Sequence, residues 1–282
     1  MSQVLVIGAR GKTGRDVVAT LQRQRGVKVR GASHGSPGSA RDDFPMVHFD
    51  WASPATWRGA LAGVTAVYVV KPKTTDPAAT LGSFLKTAAG VERIVLLSEI
   101  GCDRRDVSTD ERRAEQVVEA SGIAWTILRP NWFQQNFTAP GFFLEALRDD
   151  RMLTVPSSNQ PVSFVDTRDI ADVAVAALLD SGHASRAYTL TGPEAVTFAA
   201  VADAIGRAVG KPIRHNDPPL DEYLSKSAAA GTPQKSVDYY GRIYGFIGRG
   251  EAAVLTSDVR NVTGHAPRAI DAFVAENLNT WR

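Results

Sequence analysis

A doubly wound α/β fold, a parallel sheet with helices on both faces, is predicted by three features of this chain. Short β-branched runs alternate with helically spaced segments, a glycine-rich turn follows the first run at once, and the rhythm changes after Pro130. The apolar runs fall at 4–7, 27–29, 64–70, 94–97 and 125–128, and a further strand is expected around Val47 and Phe49. Between them, Val17, Val18 and Leu21 have helical spacing, as do Ala114, Val117 and Val118 ahead of Gly122, read as a C-terminal cap. Beyond Pro130, 131–143 is aromatic and irregular, and 214–250 is rich in Pro, Gly, Ser and Tyr. Two helices are expected among these segments. One starts at Thr197 as N-cap, carries Phe198, Val201, Ala202 and Ile205, and stops before Gly210; the last begins near Pro267 and carries Ile270, Phe273, Val274 and Leu278. The expected organisation is a core at 1–130, with returning segments near 161–190, and a smaller interleaved lobe within 131–282.

Composition narrows the class of partner. Of 282 residues, 44% are hydrophobic and 22% charged, as in an ordinary globular protein. Thirty-two basic residues against 30 acidic leave a net charge of +2, which asks for neither nucleic acid nor an anionic membrane. A lone cysteine, Cys102, excludes an internal disulfide framework, and the five histidines never recur at metal-ligand spacing, so no metal is expected. No apolar run approaches the roughly 18 residues of a membrane span, and Met1-Ser2-Gln3 leads straight into the first strand. A soluble, cytoplasmic protein acting on a small molecule is expected.

The strongest local signal is Gly8-Ala9-Arg10-Gly11-Lys12-Thr13-Gly14, between the first strand and the first helix. Glycines let the backbone turn tightly and approach a phosphate, while the helix N-terminus offers free N–H groups and positive potential. A tight turn without a ligand is the alternative. A nucleotide-triphosphatase loop is excluded, because the position five before Gly11 is Val6 rather than glycine. The pattern therefore points to a Rossmann-type dinucleotide site. NAD binders place a carboxylate about 20 residues beyond the loop, on the ribose 2′-hydroxyl. Here no carboxylate occurs between Asp16 and Asp42, and Arg10, Ser33 and His34 are candidates to receive a 2′-phosphate, which favours NADP(H). Arg30 reads as a solvated strand residue that points elsewhere.

With these residues in place, the chain resembles the NmrA-like group of atypical short-chain dehydrogenases/reductases nearly end to end. The resemblance rests on the glycine loop, on the run from Ser121 through Leu128-Arg129-Pro130 to Asn131-Trp132-Phe133, and on Phe164-Val165-Asp166-Thr167-Arg168-Asp169-Ile170-Ala171. Leu190-Thr191-Gly192-Pro193-Glu194 and Thr263-Gly264-His265-Ala266-Pro267-Arg268 extend it. It implies that Gly8, Arg10, Gly11, Lys12, Thr13, Gly14, Ser33 and His34 hold the cofactor, with Asp50 near the adenine. It also implies that Lys71 and Pro72 border the nicotinamide ribose, that Ser98 and Glu99 sit by the reacting centre, and that Pro130, Asn131, Trp132 and Phe133 line the nicotinamide and substrate pocket. Asp50 as a helix cap and Trp132 as core are the structural alternatives.

One departure from the pattern bears on chemistry. Short-chain reductases use a Tyr with Lys four residues later, yet the tyrosines at 68, 188, 223, 239, 240 and 244 all lack Lys at that spacing. The family position for this Lys falls on Glu111, which is either a catalytic group or a helix-start carboxylate. A ketone needs a positioned acid, whereas an iminium or quinone is reducible with cofactor positioning alone. The expected function is thus NADP(H)-dependent reduction of a small quinone-, iminium- or unsaturated-type molecule, with Ser98 and Glu111 as catalytic candidates and Glu99 in the substrate pocket. Two alternatives stand: a redox-sensing regulator working through a protein partner, and a non-redox isomerase or cyclase using Glu99, Glu111 and Lys71. No G-x-S-x-G elbow occurs. Asp166, Arg168 and Asp169 read as an ion-pair device at a helix start, and Tyr239, Tyr240, Tyr244 and Phe246 as pocket lining or packing.

Overall fold

The computed structural model describes residues 2–34 and 44–282. In chain order the elements begin β1 (Ser2–Ile7), α1 (Lys12–Gln22), β2 (Val27–Ser33), β3 (Met46–His48), α2 (Ala55–Leu61), β4 (Ala66–Val70), α3 (Pro77–Thr87), β5 (Arg93–Leu97), α4 (Asp110–Glu119) and β6 (Ala124–Pro130). They continue with β7 (Met152–Thr154), α5 (Thr167–Leu179), β8 (Arg186–Leu190), α6 (Phe198–Val209), β9 (Arg214–Asn216), α7 (Leu220–Ala229), α8 (Gln234–Gly248), α9 (Asp258–Thr263) and α10 (Ile270–Glu276). Two units result: Met1–Pro130 with Thr167–Leu190 and Asp258–His265, and Asn131–Asp166 with Thr191–Ser257 and Ala266–Arg282.

The first unit is built on a seven-stranded sheet of order β3-β2-β1-β4-β5-β6-β8, every neighbouring pair parallel. This is the doubly wound fold that the alternating runs predict. Its central strands are apolar throughout because helices cover both faces. Val4, Leu5, Val6 and Ile7 are all buried, each contributing about 1.5–3 kcal/mol. One face is filled by Leu5, Phe49, Trp57, Leu81, Phe84 and Val118. On α5, nine of thirteen residues are buried, as expected of a helix packed against both α1 and the sheet. Strand order reverses between β1 and β4. The carboxyl ends of these two strands, at Gly8 and Lys71, therefore flank the crevice where open α/β sheets receive ligands.

Local signals set the helix starts. Asp76 accepts from Ala79 N at 3.0 Å ahead of Pro77 in α3, and Thr197 accepts from Ala200 N at 3.1 Å in α6. α6 stops at Gly210 in the left-handed conformation, as expected. The Pro- and Gly-rich stretch at 214–250, to which the sequence assigns no element, holds β9, α7 and α8; two expectations, a cap at Gly122 and a last helix that reaches Leu278, are corrected. Pro219 and Pro233 stand directly before the helices, and the glycines of α8 serve close packing. A Cβ at Gly241 would lie 3.4 Å from Leu224 Cδ1 of α7. Gly122 lies beyond the cap of α4, which is Ala120, and takes its positive φ in the following turn. The last helix ends at Glu276, short of Leu278, where a single 3₁₀ turn brings Trp281 into the second unit's core; there its Nε1 donates to Phe137 O at 2.8 Å. That core gathers Phe137, Phe164, Phe198, Ile205 and Phe273, and β7 pairs with β9 in a second, two-stranded parallel sheet.

Candidate cofactor and active site

The turn of the glycine loop is held by backbone hydrogen bonds. Gly8, at φ +81°, donates to Ala32 O at 2.9 Å, and Gly11 N donates to Gly8 O at 2.8 Å. A Cβ on Gly14 would lie 2.8 Å from the Gly8 carbonyl carbon and closer still to its oxygen, so α1 presses on the turn at a distance that only glycine allows. Gly11 caps α1 without a side-chain hydrogen bond, and the first turn carries no acid. Such an end presents N–H groups and positive potential to an anion. Burial, then the charge of Lys73, push Lys12 down to about 8. Lys12 and Lys73 are thus near enough to repel, an excess of positive charge that an anion nearby would offset.

At the end of β2, Ser33 Oγ is shut off from solvent and makes no hydrogen bond among the described residues. His34 is open to solvent and lies 3.5 Å from Asp50 Oδ2, while Asp50 Oδ1 accepts from Ala52 N at 2.9 Å. Asp50 thus closes a turn ahead of α2 and keeps one carboxylate oxygen toward His34. Arg30 points elsewhere: its Nη1 caps the end of α2 at Ala60 O and Ala62 O, both at 2.8 Å. Asp42 lies outside the described residues. The orphan hydroxyl, the uncapped helix and the paired lysines all fit a phosphorylated dinucleotide.

The carboxyl ends of β4 and β5 carry a chain of charges. Lys71 Nζ is ion-paired with Glu111 Oε1, and Arg105 Nη1 with Glu99 Oε1; Arg105 also stands 3.9 Å from Glu111 Oε2. Lys71, Glu99 and Glu111 are thereby brought together through Arg105, which the sequence reading did not single out. Ser98 is drawn the other way. Its Oγ donates to Glu115 Oε1 at 2.6 Å, and the fully buried Glu115 also accepts from Arg129 Nε at 2.9 Å, Arg129 Nη2 at 2.8 Å and Arg112 Nη1 at 2.8 Å. Burial alone would raise the Glu115 carboxyl, but the Arg129 and Ser98 hydrogen bonds outweigh it and hold it below the usual range. Beside them, burial pushes the Cys102 thiol up to about 12, so it is no nucleophile. Pro72 and Pro130 are buried at the ends of β4 and β6. Glu115 was legible as the residue one helical turn after Glu111, and Arg129 as a charge in a buried strand.

Asn131, Trp132 and Phe133 belong to the second unit. Asn131 is spent on structure: Nδ2 donates to Ser163 Oγ and Ala252 O, both at 2.7 Å, and Oδ1 accepts from Trp132 N at 3.0 Å. Trp132 lies parallel to Phe143, 6.4 Å between centroids, and within 29° of Tyr244, at 5.7 Å. Phe133 bridges to Val165 through the backbone. Back in the first unit, Asp169, Asp172 and His265 converge although 265 is remote in sequence. His265 Nε2 is 3.2 Å from Asp172 Oδ2, within hydrogen-bond distance at the edge of α5.

Fold and glycine loop together define an α/β protein of the dinucleotide-binding class. Residues 8–181 match the NAD(P)H-binding family; the chain belongs to that family and is an oxidoreductase with NAD(P)H as its cofactor. It is 32% identical to the NAD(P)H azoreductase of Xenophilus azovorans, over 96% of each chain. It is 29% identical to prestalk A differentiation protein A of Dictyostelium discoideum, over 98% of this chain and 92% of that one. It is 27% identical to the agroclavine dehydrogenase of Claviceps fusiformis, over 99% and 98%. Among solved structures, Citrobacter sp. triphenylmethane reductase complexed with NADP(H) superposes with a TM-score of 0.81 at 20% identity, covering 99% of this chain and 100% of that one. NmrA, a negative transcriptional regulator, gives 0.76 at 14%, covering 99% and 96%. Both structural likenesses speak to the fold. Among the described residues no helix is long and apolar enough to cross a membrane.

Proposed function

We propose that the protein is an NADPH-preferring reductase of a small, flat, conjugated electrophile. The observation that carries this reading is a glycine loop with an uncapped helix start at the same sheet edge as the Lys71–Glu111–Arg105–Glu99 chain. In this reading Gly8, Arg10, Gly11, Lys12, Thr13 and Gly14 hold the pyrophosphate, Ser33 and His34 the 2′-phosphate, and Asp50 borders the adenine. Lys71, Pro72 and Pro130 border the nicotinamide end. The bound cofactor supplies a hydride. The protein's contribution is to orient reactants and arrange charge, which suits an acceptor electrophilic enough to need no Tyr–Lys pair. The names of the azoreductase and agroclavine dehydrogenase relatives support a conjugated, nitrogen- or oxygen-bearing acceptor. In the second unit, the Trp132, Phe143 and Tyr244 rings form a ladder suited to planar molecules, with Asn131 holding the turn.

Calorimetric titration with NADPH, NADP⁺ and NADH tests the cofactor assignment. Absorbance loss of reduced nicotinamide with quinone, azo and iminium acceptors tests the reaction. The expected result is NADPH bound at least about tenfold more tightly than NADH, with turnover of one acceptor class. Absence of NADPH binding, or binding without turnover of any class, overturns the reading.

A further inference from the structure

We propose that Lys71 is the proton donor of the reduction, so that the acceptor is a neutral molecule whose oxygen or nitrogen gains negative charge as it is reduced, rather than a cation such as an iminium. The inference rests on the reductase reading and is carried by four observations. Lys71 follows Val70 at the end of β4, and a Cβ on Gly8 would lie 3.4 Å from Val70 Cγ2, so the strand end that carries Lys71 lies beside the glycine loop. In its ion pair with Glu111 the ammonium is the outer partner: the lysine side chain is 32% exposed and the carboxylate 10%. Arg105 binds Glu99 and approaches Glu111, so each carboxylate in the chain already has a cation. The other nearby proton carriers are withdrawn, since the Ser98 proton is committed to Glu115 at 2.6 Å and Cys102 is fully buried.

A positive, proton-bearing outer group stabilises charge that develops as negative and repels a cationic acceptor. As hydride from the reduced dinucleotide reaches the electrophilic atom of a C=O or N=N acceptor, the π pair moves onto the far heteroatom. The Lys71 Nζ–H bond breaks and an O–H or N–H bond forms there. The acceptor gains two electrons, the dinucleotide loses two, and the neutral amine, still beside Glu111, takes a proton back from water. Glu111 is a positioning residue that holds Nζ in place, and Arg105 in turn restrains Glu111.

The test compares wild type with Lys71→Met and Lys71→Arg on two acceptors: a naphthoquinone, whose oxygen gains negative charge and then a proton as it is reduced, and a triarylmethane dye cation, which becomes neutral on accepting hydride alone. Both variants are expected to lower kcat on the quinone about 100-fold, in the range of a general acid, and to lower dye reduction at least about tenfold less, since any loss of cofactor positioning is shared by the two acceptors. Arginine keeps the charge but does not release its proton, so its failure separates donation from electrostatics. Glu111→Gln is expected to show the same direction of split, about tenfold on the quinone and a smaller loss on the dye. Titration of cofactor-free protein with 4-nitrophenolate, followed by absorbance, is expected to give about tenfold weaker binding in Lys71→Met. Equal losses on both acceptors, no loss on the quinone, or equal phenolate affinity overturns the assignment while leaving a working reductase. A wild type that binds NADPH and reduces neither acceptor overturns the reductase reading and this one together.

Discussion

The glycine loop and the charge chain at the ends of β4 and β5 share one sheet edge but are built on opposite principles. The loop spans seven consecutive residues, and its shape comes from backbone hydrogen bonds and from the absence of side chains. The charge chain joins side chains from separate elements, Lys71 to Glu111 across 40 positions and Ser98 to Glu115 across 17, and its shape comes from complementary charges in partial burial. A loop of the first kind fails when something is added; a cluster of the second kind fails when something is removed, because the partner is left unpaired.

The largest effect that would sharpen this contrast is expected at Glu115. Replacement by Ala leaves Arg129, Arg112 and Ser98 without their shared acceptor and is expected to destabilise the protein by about 3–5 kcal/mol in urea denaturation. A loss below about 1 kcal/mol would show that the network is not a stabilising centre. Because the Glu115 carboxyl is held low, its contribution is complete above the ordinary carboxylate range and fades as pH falls through the folded-state value. Glu115→Gln should therefore flatten the acid limb of stability against pH, measured by thermal unfolding from neutral pH downward.

Next is the loop itself. Gly14→Val drives a side chain into the Gly8 carbonyl, with an expected cost of about 1–3 kcal/mol in stability. NADPH affinity, read by calorimetry, is expected to fall by about 100-fold or more, since the turn must open to relieve the clash. Retained affinity would break the claim that the phosphate rests on this turn. Ser33→Asp places a carboxylate where the orphan hydroxyl now stands and is expected to weaken NADPH about tenfold while sparing NADH. Equal effects on the two cofactors would move the 2′-phosphate away from β2.

The smallest expected effect is the pH dependence of cofactor binding. Lys12, lowered to about 8 by burial and then by Lys73, is charged below that pH and neutral above it. NADPH affinity should decline severalfold, by roughly 1 kcal/mol, as pH rises through about 8. Lys12→Met should abolish this dependence, and Lys73→Met should move it to higher pH, because removing the second cation lets Lys12 hold its proton longer. A flat calorimetric profile in wild type would place Lys12 outside the phosphate site.

Legibility followed the range of the forces involved. The strands at 4–7, 94–97 and 125–128 were readable because a parallel strand covered on both faces is apolar along its whole length. β8 (Arg186–Leu190) escaped notice, since as an edge strand it keeps Arg186 and Ala187 exposed and lacks that signature. α8 was obscured because its glycines lower helix propensity, and only its packing on α7 turns Gly241 and Gly245 to advantage. The last helix stops early for a tertiary reason as well, the burial of Trp281.

The sequence by itself determined the parallel α/β fold, the glycine turn and the missing Tyr–Lys pair, because periodicity, backbone freedom and residue identity are local properties. Tertiary structure alone decided that Lys71 meets Glu111, that Arg105 ties Glu111 to Glu99, and that Ser98 turns its proton inward to Glu115. Ion pairs between residues tens of positions apart depend on where strands end and how deeply each charge is buried, and neither quantity exists until the sheet has formed.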